Sequence, residues 1–264
     1  MSEIGGKFKE LKERGEAAFI PYVCGWDPDA KTCADVIEAV EKHADVMEIG
    51  IPFSDPMADG PTIQKASERA LLAGANPRKI IELASTVTKP VVLMTYYNIP
   101  YKYGLERFCS DAERFGVSGL ICADLPPEEG SALEAACGGH GIELIYLLAP
   151  TSTPERVKMI VERSSGFVYA VSLKGITGER DVVSKQAFSV VRAAKKAAKT
   201  PVVVGFGVSR PEHVRELVGL GVDGVVVGSA IIKKVEENLG NRNKMLGEID
   251  SFCAGLKAAT RRRK

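Results

Sequence analysis

The sequence carries almost no net charge, with 35 lysines and arginines facing 34 aspartates and glutamates among 264 residues. A chain so balanced has no overall field with which to recruit nucleic acid or an acidic membrane, so any anionic ligand must be held by local groups. Its three histidines show no metal-ligand spacing, and its six cysteines, Cys24, Cys33, Cys109, Cys122, Cys137 and Cys253, include no C-x-x-C pair. Neither a zinc site nor a disulfide framework is expected, and the reading is of a cytoplasmic protein with reduced thiols. No apolar run approaches the roughly 20 residues that span a bilayer, and the charged residues 1–12 lack the apolar stretch of a secretion signal. Linkers and low-complexity tracts are missing too, so residues 1–264 read as one domain with a short basic tail at 260–264. That tail is read as solvated charge complementing a final helix, with a nucleic-acid handle as the competing use.

What is present is enough apolar side chain for a full core, 45% of residues, arranged in short β-branched runs from end to end. Eight are read as strands: Ala18 to Val23, Val46 to Ile51, Val91 to Tyr96, Gly119 to Ala123, Glu143 to Leu148, Phe167 to Ser172, Val202 to Gly205 and Gly224 to Val227. Several are continuously apolar, as strands covered on both faces are. Between them lie segments of helical spacing, at Lys31 to Lys42, Ile63 to Leu72, Leu105 to Phe115, Ser131 to Cys137, Pro154 to Arg163, Ser184 to Ala198 and Pro211 to Leu220. The alternation predicts a single-domain α/β fold, a (β/α)8 TIM barrel, with an open doubly wound sheet as the runner-up.

In such a barrel chemistry sits at the C-terminal ends of the strands. Glu48 interrupts an otherwise apolar second strand, where burial would raise its carboxyl from about 4.3 toward neutrality and suit it to proton transfer. A structural glutamate paired with a neighbouring Arg or Lys is the equal alternative. The loop from Ser54 to Thr62 holds Asp55 and Asp59, either turn formers or part of a functional loop. After strand seven comes Gly205-Phe-Gly-Val-Ser, and after strand eight Gly228-Ser-Ala-Ile-Ile-Lys-Lys. Together they match a barrel phosphate site, with backbone N–H groups at Gly228, Ser229 and Ala230 facing the anion. Tight turns with Ser229 as a helix N-cap would use the same residue types. Gly175 and Gly178 suit a loop that closes over substrate. Lys174 invites a Schiff-base role, but its parity is opposite to that of Tyr169, so it reads as a solvated loop charge.

The run Glu48-Ile-Gly-Ile-Pro-Phe-Ser-Asp-Pro-Met-Ala-Asp-Gly-Pro-Thr-Ile-Gln closely resembles the signature of tryptophan synthase alpha subunits. The likeness continues through Phe19-Ile-Pro-Tyr, Leu93-Met-Thr-Tyr-Tyr-Asn, Ala123-Asp-Leu-Pro, Gly175-Ile-Thr-Gly, Gly205-Phe-Gly-Val-Ser and Gly228-Ser-Ala-Ile, across essentially the whole chain. The resemblance implies a lyase that splits indole-3-glycerol phosphate into indole and glyceraldehyde 3-phosphate, with Glu48 and Asp59 as the acid-base pair. It implies Tyr22 against the indole, Tyr169 beside Glu48, and Thr177 positioning Asp59. Gly178, Gly207, Gly228 and Ser229 would bind the phosphate. Glu48 would then be raised and Asp59 near its ordinary value, so that one donates a proton while the other is ionised.

The resemblance further implies no cofactor or metal on this chain. Its partner would be a beta subunit carrying pyridoxal phosphate, in an alpha2-beta2 tetramer contacted through the loop from Phe53 to Gly60. An indole-glycerol phosphate synthase would need catalytic lysines at early strand ends, where this sequence has none. A non-catalytic regulatory subunit and a stand-alone indole-releasing lyase remain as alternatives. In one place the sequence departs from the family: Cys24-Gly-Trp-Asp-Pro stands where Thr-x-Gly-Asp-Pro is usual, which puts Trp26 in the first loop.

Overall fold

The computed structural model describes residues 2–171, 185–205 and 207–262. Nine strands form one sheet: β1 (Ala18–Cys24), β2 (Met47–Gly50), β3 (Val91–Thr95), β4 (Val117–Cys122), β5 (Glu143–Ile145), β6 (Leu147–Leu148), β7 (Val168–Val171), β8 (Val202–Gly205) and β9 (Gly224–Val227). Their order is β5-β4-β3-β2-β1-β9-β8-β7-β6, and every neighbouring pair is parallel. The two ends of that order are consecutive in the chain, so the sheet curls into a barrel whose seam is the single segment from Glu143 to Leu148.

The predicted fifth strand is therefore two short ones. Tyr146 leaves the ladder because its N–H turns to the Ser164 hydroxyl at 3.3 Å. The inward-outward alternation passes through the break unchanged: Leu144, Tyr146 and Leu148 face the helices, while Ile145 and Leu147 face the barrel interior. The fourth strand starts at Val117, two residues earlier than predicted, with a register shift opposite Val91 and Val92.

Two apolar layers result. The outer one lies between sheet and helices; the inner one fills the barrel with Ala18, Ile20, Tyr22, Val46, Val92, Ile121, Ile145, Phe167, Tyr169, Val203 and Val226. The helix Glu3–Glu13, capped by Ser2, lays Ile4, Phe8 and Leu11 into that interior. Those residues follow the i, i+4, i+7 spacing of one helix face. Phe8 meets Phe167 at 5.8 Å between ring centroids, which closes the end of the barrel where the strands begin. The opposite end stays open.

The basic tail is less free than expected. Thr260 is fully buried, Arg262 donates its N–H to the Gly15 carbonyl at 2.9 Å, and its guanidinium reaches the Val222 carbonyl at 3.0 Å. The chain end is thus fastened across the base of the barrel, with Lys257 paired to Asp45 and Glu16 beside it. Arg263 and Lys264 lie outside the described residues. No helix among the described residues is long and apolar enough to cross a membrane.

Trp26 holds the first loop in a left-handed conformation, φ +73, which a side chain disfavours by roughly 1–2 kcal/mol. Its indole packs on both apolar layers and under the Lys79 ammonium, 5.3 Å from the ring centroid. Burying most of such a ring, about 150 Å2 at 25 cal/mol per Å2, gives about 4 kcal/mol and exceeds the backbone cost. Trp26→Gly should therefore lower stability by about 2 kcal/mol and Tm by about 4–8 °C. A thermal melt showing an unchanged or higher Tm would mean that the strain dominates.

Candidate active site

The open end of the barrel is built from the second strand outward. Register pairs Glu48 on β2 with Tyr22 on β1, so both side chains enter the interior at one level. Glu48 is 1% exposed, its Oε2 is buried with no hydrogen-bond partner, and it has no cation beside it among the described residues. Among the described residues, then, no Arg or Lys supplies the structural ion pair that was the equal alternative. Burial, with the charge of Asp59 adding to it, pushes the Glu48 carboxyl up to about 8. It is protonated at neutral pH.

Asp59 arrives from the loop that follows β2, just before the helix Pro61–Leu72 begins with proline in its first turn. The loop is fastened at three points. The Ala58 N–H donates to the Tyr96 hydroxyl at 3.0 Å, the Gln64 amide donates to the Asp59 carbonyl at 2.9 Å, and Phe53 stacks on Tyr96 at 5.1 Å. The Tyr96 hydroxyl also favours the ionised form of Asp59, which restrains an upward shift caused by burial. The shift still runs upward, so Asp59 departs from the near-ordinary value expected. The charge of an ionised Asp59 is one of the two causes that raise Glu48, so a protonated Glu48 beside an ionised Asp59 is the arrangement in which the two carboxyl groups do not repel.

Two tyrosines lean across the sheet onto glycines. A Cβ on Gly50 would stand 2.1 Å from the Tyr22 hydroxyl, and one on Gly205 2.4 Å from the Tyr169 hydroxyl. Both glycines occupy inward positions of their strands, so their missing side chains are what let the phenol rings lie flat and leave the centre open. Burial and the two nearby carboxyl groups raise both phenols, which stay protonated.

The resulting cavity, about 540 Å3 including its open mouth, is lined by Tyr22, Glu48, Asp59, Ile63, Met94, Tyr169, Gly205, Gly207, Val208, Val226, Gly228 and Ser229. Tyr22, Tyr169, Gly207, Gly228 and Ser229 are thus brought together with the two acids; Thr177 and Gly178, with Lys174, lie outside the described residues. The bland account of Ser229 needs correcting. Gly228 is the N-cap of the helix Ser229–Glu237, without a side-chain cap bond, and Ser229 is the first helical residue. The N–H groups of Ile231 and Ile232 close onto the Gly228 carbonyl, so those of Ser229 and Ala230 precede the helix's first internal bonds and are open to an anion. Gly207, at φ +46, turns the chain opposite them.

Sequence reasoning missed Tyr96 as the anchor of the Asp59 loop and Ile63, Met94, Val208 and Val226 as the apolar wall. Strand parity could have found Val226, which shares the face of Gly224. Among the described residues no group of three or more His, Cys, Asp and Glu side chains is placed to hold a metal ion, and all six cysteines are free thiols.

An acid held neutral, a second acid beside it, an apolar wall and a helix N-terminus with open N–H groups suit proton transfer to an aromatic substrate that carries an anionic group. The family model described as tryptophan synthase alpha chain matches residues 8–261. The tryptophan synthase alpha chain of Methanocaldococcus jannaschii is 47% identical over 251 residues, 93% of this chain and 89% of that one. That of Geobacter sp. strain M21 is 45% identical, with 97% of each chain covered. Among solved structures, tryptophan synthase from M. tuberculosis superposes with a TM-score of 0.89 at 34% identity, covering 99% of both chains. A chain from a study of mutual activation in the tryptophan synthase a2b2 complex of Pyrococcus furiosus does so at 0.87 and 38%, covering 92% of this chain and 99% of that one.

Proposed function

The chain belongs to the tryptophan synthase alpha chain family, and from that premise we propose that its cavity cleaves indole-3-glycerol phosphate to indole and D-glyceraldehyde 3-phosphate, a retro-aldol reaction. The observation that carries the reading is the orphaned Glu48 carboxyl, kept protonated at neutral pH and opening into the cavity with Asp59.

Indole leaves badly as a carbanion. Protonated at ring C3, it becomes an iminium-like species whose nitrogen draws the electrons of the C3–C3' bond. Glu48 donates that proton, and its carboxylate then takes the proton of the C3' hydroxyl as the bond breaks and the aldehyde forms. Asp59, ionised, accepts the indole N–H and stabilises the charge growing there. Ile63, Met94, Val208 and Val226 provide the apolar slot for the ring. Gly207, Gly228 and Ser229 receive the phosphate, with Gly178 assigned by resemblance, as is Thr177 beside Asp59. The ring itself is the electron sink, so the reaction is written without a cofactor on this chain.

The family assigns the use of indole to a beta subunit with pyridoxal phosphate, and the loop from Phe53 to Gly60 is its proposed docking edge. Met57 on that loop is 86% exposed, and Tyr101, on the helix after β3, is 61% exposed. These exposed side chains offer a beta subunit apolar surface to cover at the open end, and a solitary lyase is the alternative. The proposed place of work is the cytoplasm.

The test is release of indole and glyceraldehyde 3-phosphate in equal amounts by the purified chain, alone and with a beta subunit. If the chain raises a beta subunit's activity and releases no indole under either condition, the regulatory reading replaces this one.

A further inference from the structure

Beyond the anion cradle a second cavity, about 820 Å3 with its open side, shares Gly207, Val208 and Ser229 with the first and is otherwise lined by Thr62, Ser209, Ala230, Lys233, Lys234, Glu237 and Phe252. The cradle is thus a thin wall between an acid-lined chamber and a space that contains two lysines. That division matters electrostatically. Among the described residues the first cavity is lined by two carboxyl groups, Glu48, held protonated by burial, and Asp59, and by no cation. A phosphate dianion brought there meets like charge on one side and only backbone N–H groups among the described lining on the other.

The lysines are not equivalent. Lys234 is 25% exposed, sits over the Phe252 ring at 5.1 Å and pairs with Glu248 at 3.7 Å. Lys233 is 66% exposed and among the described residues pairs with Glu237 alone, at 3.6 Å, in the Lys-before-Glu order that is the weaker one on a helix. It lies one turn after Ser229, and long helical side chains lean toward the helix N-terminus, here toward the cradle. Releasing Glu237 therefore costs little and leaves the ammonium free to swing toward the cradle.

Resting on the cleavage reading above, we propose that Lys233 supplies the positive charge of the phosphate subsite, approaching the substrate's phosphate from the second cavity. That the first cavity receives a ligand is marked independently by the buried, partnerless Glu48 Oε2 that faces it. Lys233 touches no reacting atom, so it acts on binding.

The experiment compares wild type, Lys233→Gln, Lys233→Arg and the distant surface change Lys158→Gln. Binding of glycerol 3-phosphate is measured by calorimetry, and KM and kcat for indole-3-glycerol phosphate in parallel. One charge about 6 Å from a dianion, in a partly solvated setting, predicts about tenfold weaker glycerol 3-phosphate binding and a KM raised about tenfold in Lys233→Gln, with kcat within about twofold. Arginine should restore most of the loss, and the difference should shrink at high salt. If Lys233→Gln matches Lys158→Gln in both binding and KM, the proposal is overturned. Wild type that binds glycerol 3-phosphate through Lys233 but never releases indole would sink the cleavage reading and leave this one standing. Wild type that fails to bind the ester at all would sink this one.

Discussion

Glu48→Gln is expected to lower the rate of indole release by about 10²–10⁴-fold while making the protein more stable at alkaline pH. The loss of rate follows from the chemistry assigned to one carboxyl group. The amide has the shape of the acid but no proton to give to C3 and no carboxylate with which to receive the hydroxyl proton. Substrate binding should change little, because cavity shape and cradle are untouched. A Glu48→Gln enzyme retaining more than about a tenth of the wild-type rate would remove Glu48 from the proton path.

The gain in stability comes from the same burial. The folded chain keeps the Glu48 proton until about pH 8, whereas the unfolded chain releases it near the ordinary 4.5. Below that lower value both states are protonated and the full stability is present. Between the two, unfolding is accompanied by proton loss, so stability falls with rising pH at about 1.4 kcal/mol per unit until the folded carboxyl ionises as well. Glutamine has no such penalty. The melting temperatures of wild type and variant should be closest near pH 4.5 and diverge in favour of the variant up to pH 8. Parallel curves across that range would show that Glu48 is not held protonated in the folded protein.

The barrel was legible because its strands are apolar on both faces and separated by helical spacing, and because each inward glycine or acid breaks that pattern at the open end. Glu48 announced itself as a charge in an apolar run. Its partner Asp59 did so only through resemblance, since Asp55 and Asp59 suit a turn equally well and only folding shows which of them enters the cavity. Tyr96 was hidden for another reason. Its work is done through a hydroxyl that joins β3 to the loop after β2, and a contact between segments distant in sequence has no local signature. The break at Tyr146 is of the same kind, set by Ser164 on the segment that follows the next helix. The extent of the rise at Glu48, and the rise at Asp59 instead of an ordinary value, depend on how much water the assembled walls exclude.

Asp59→Asn should cost about 10²–10³-fold in kcat/KM, the range found when a positioned group facing developing charge is lost. The pH profile distinguishes that role from simple hydrogen bonding. In wild type, activity should rise as Asp59 ionises and fall as Glu48 loses its proton near pH 8, giving a bell. Asparagine cannot ionise, so the acid limb should vanish from the residual activity. The alkaline limb should remain but move to lower pH, because the Asp59 charge is one of the two causes that hold Glu48 up. Tyr96 bears on the same equilibrium from the other side. Its hydroxyl favours ionised Asp59, so Tyr96→Phe should move the acid limb to higher pH. A variant at Asp59 whose alkaline limb stays where wild type has it would show that the two carboxyl groups titrate independently, and the division of labour between a neutral donor and a charged stabiliser would lose its physical basis.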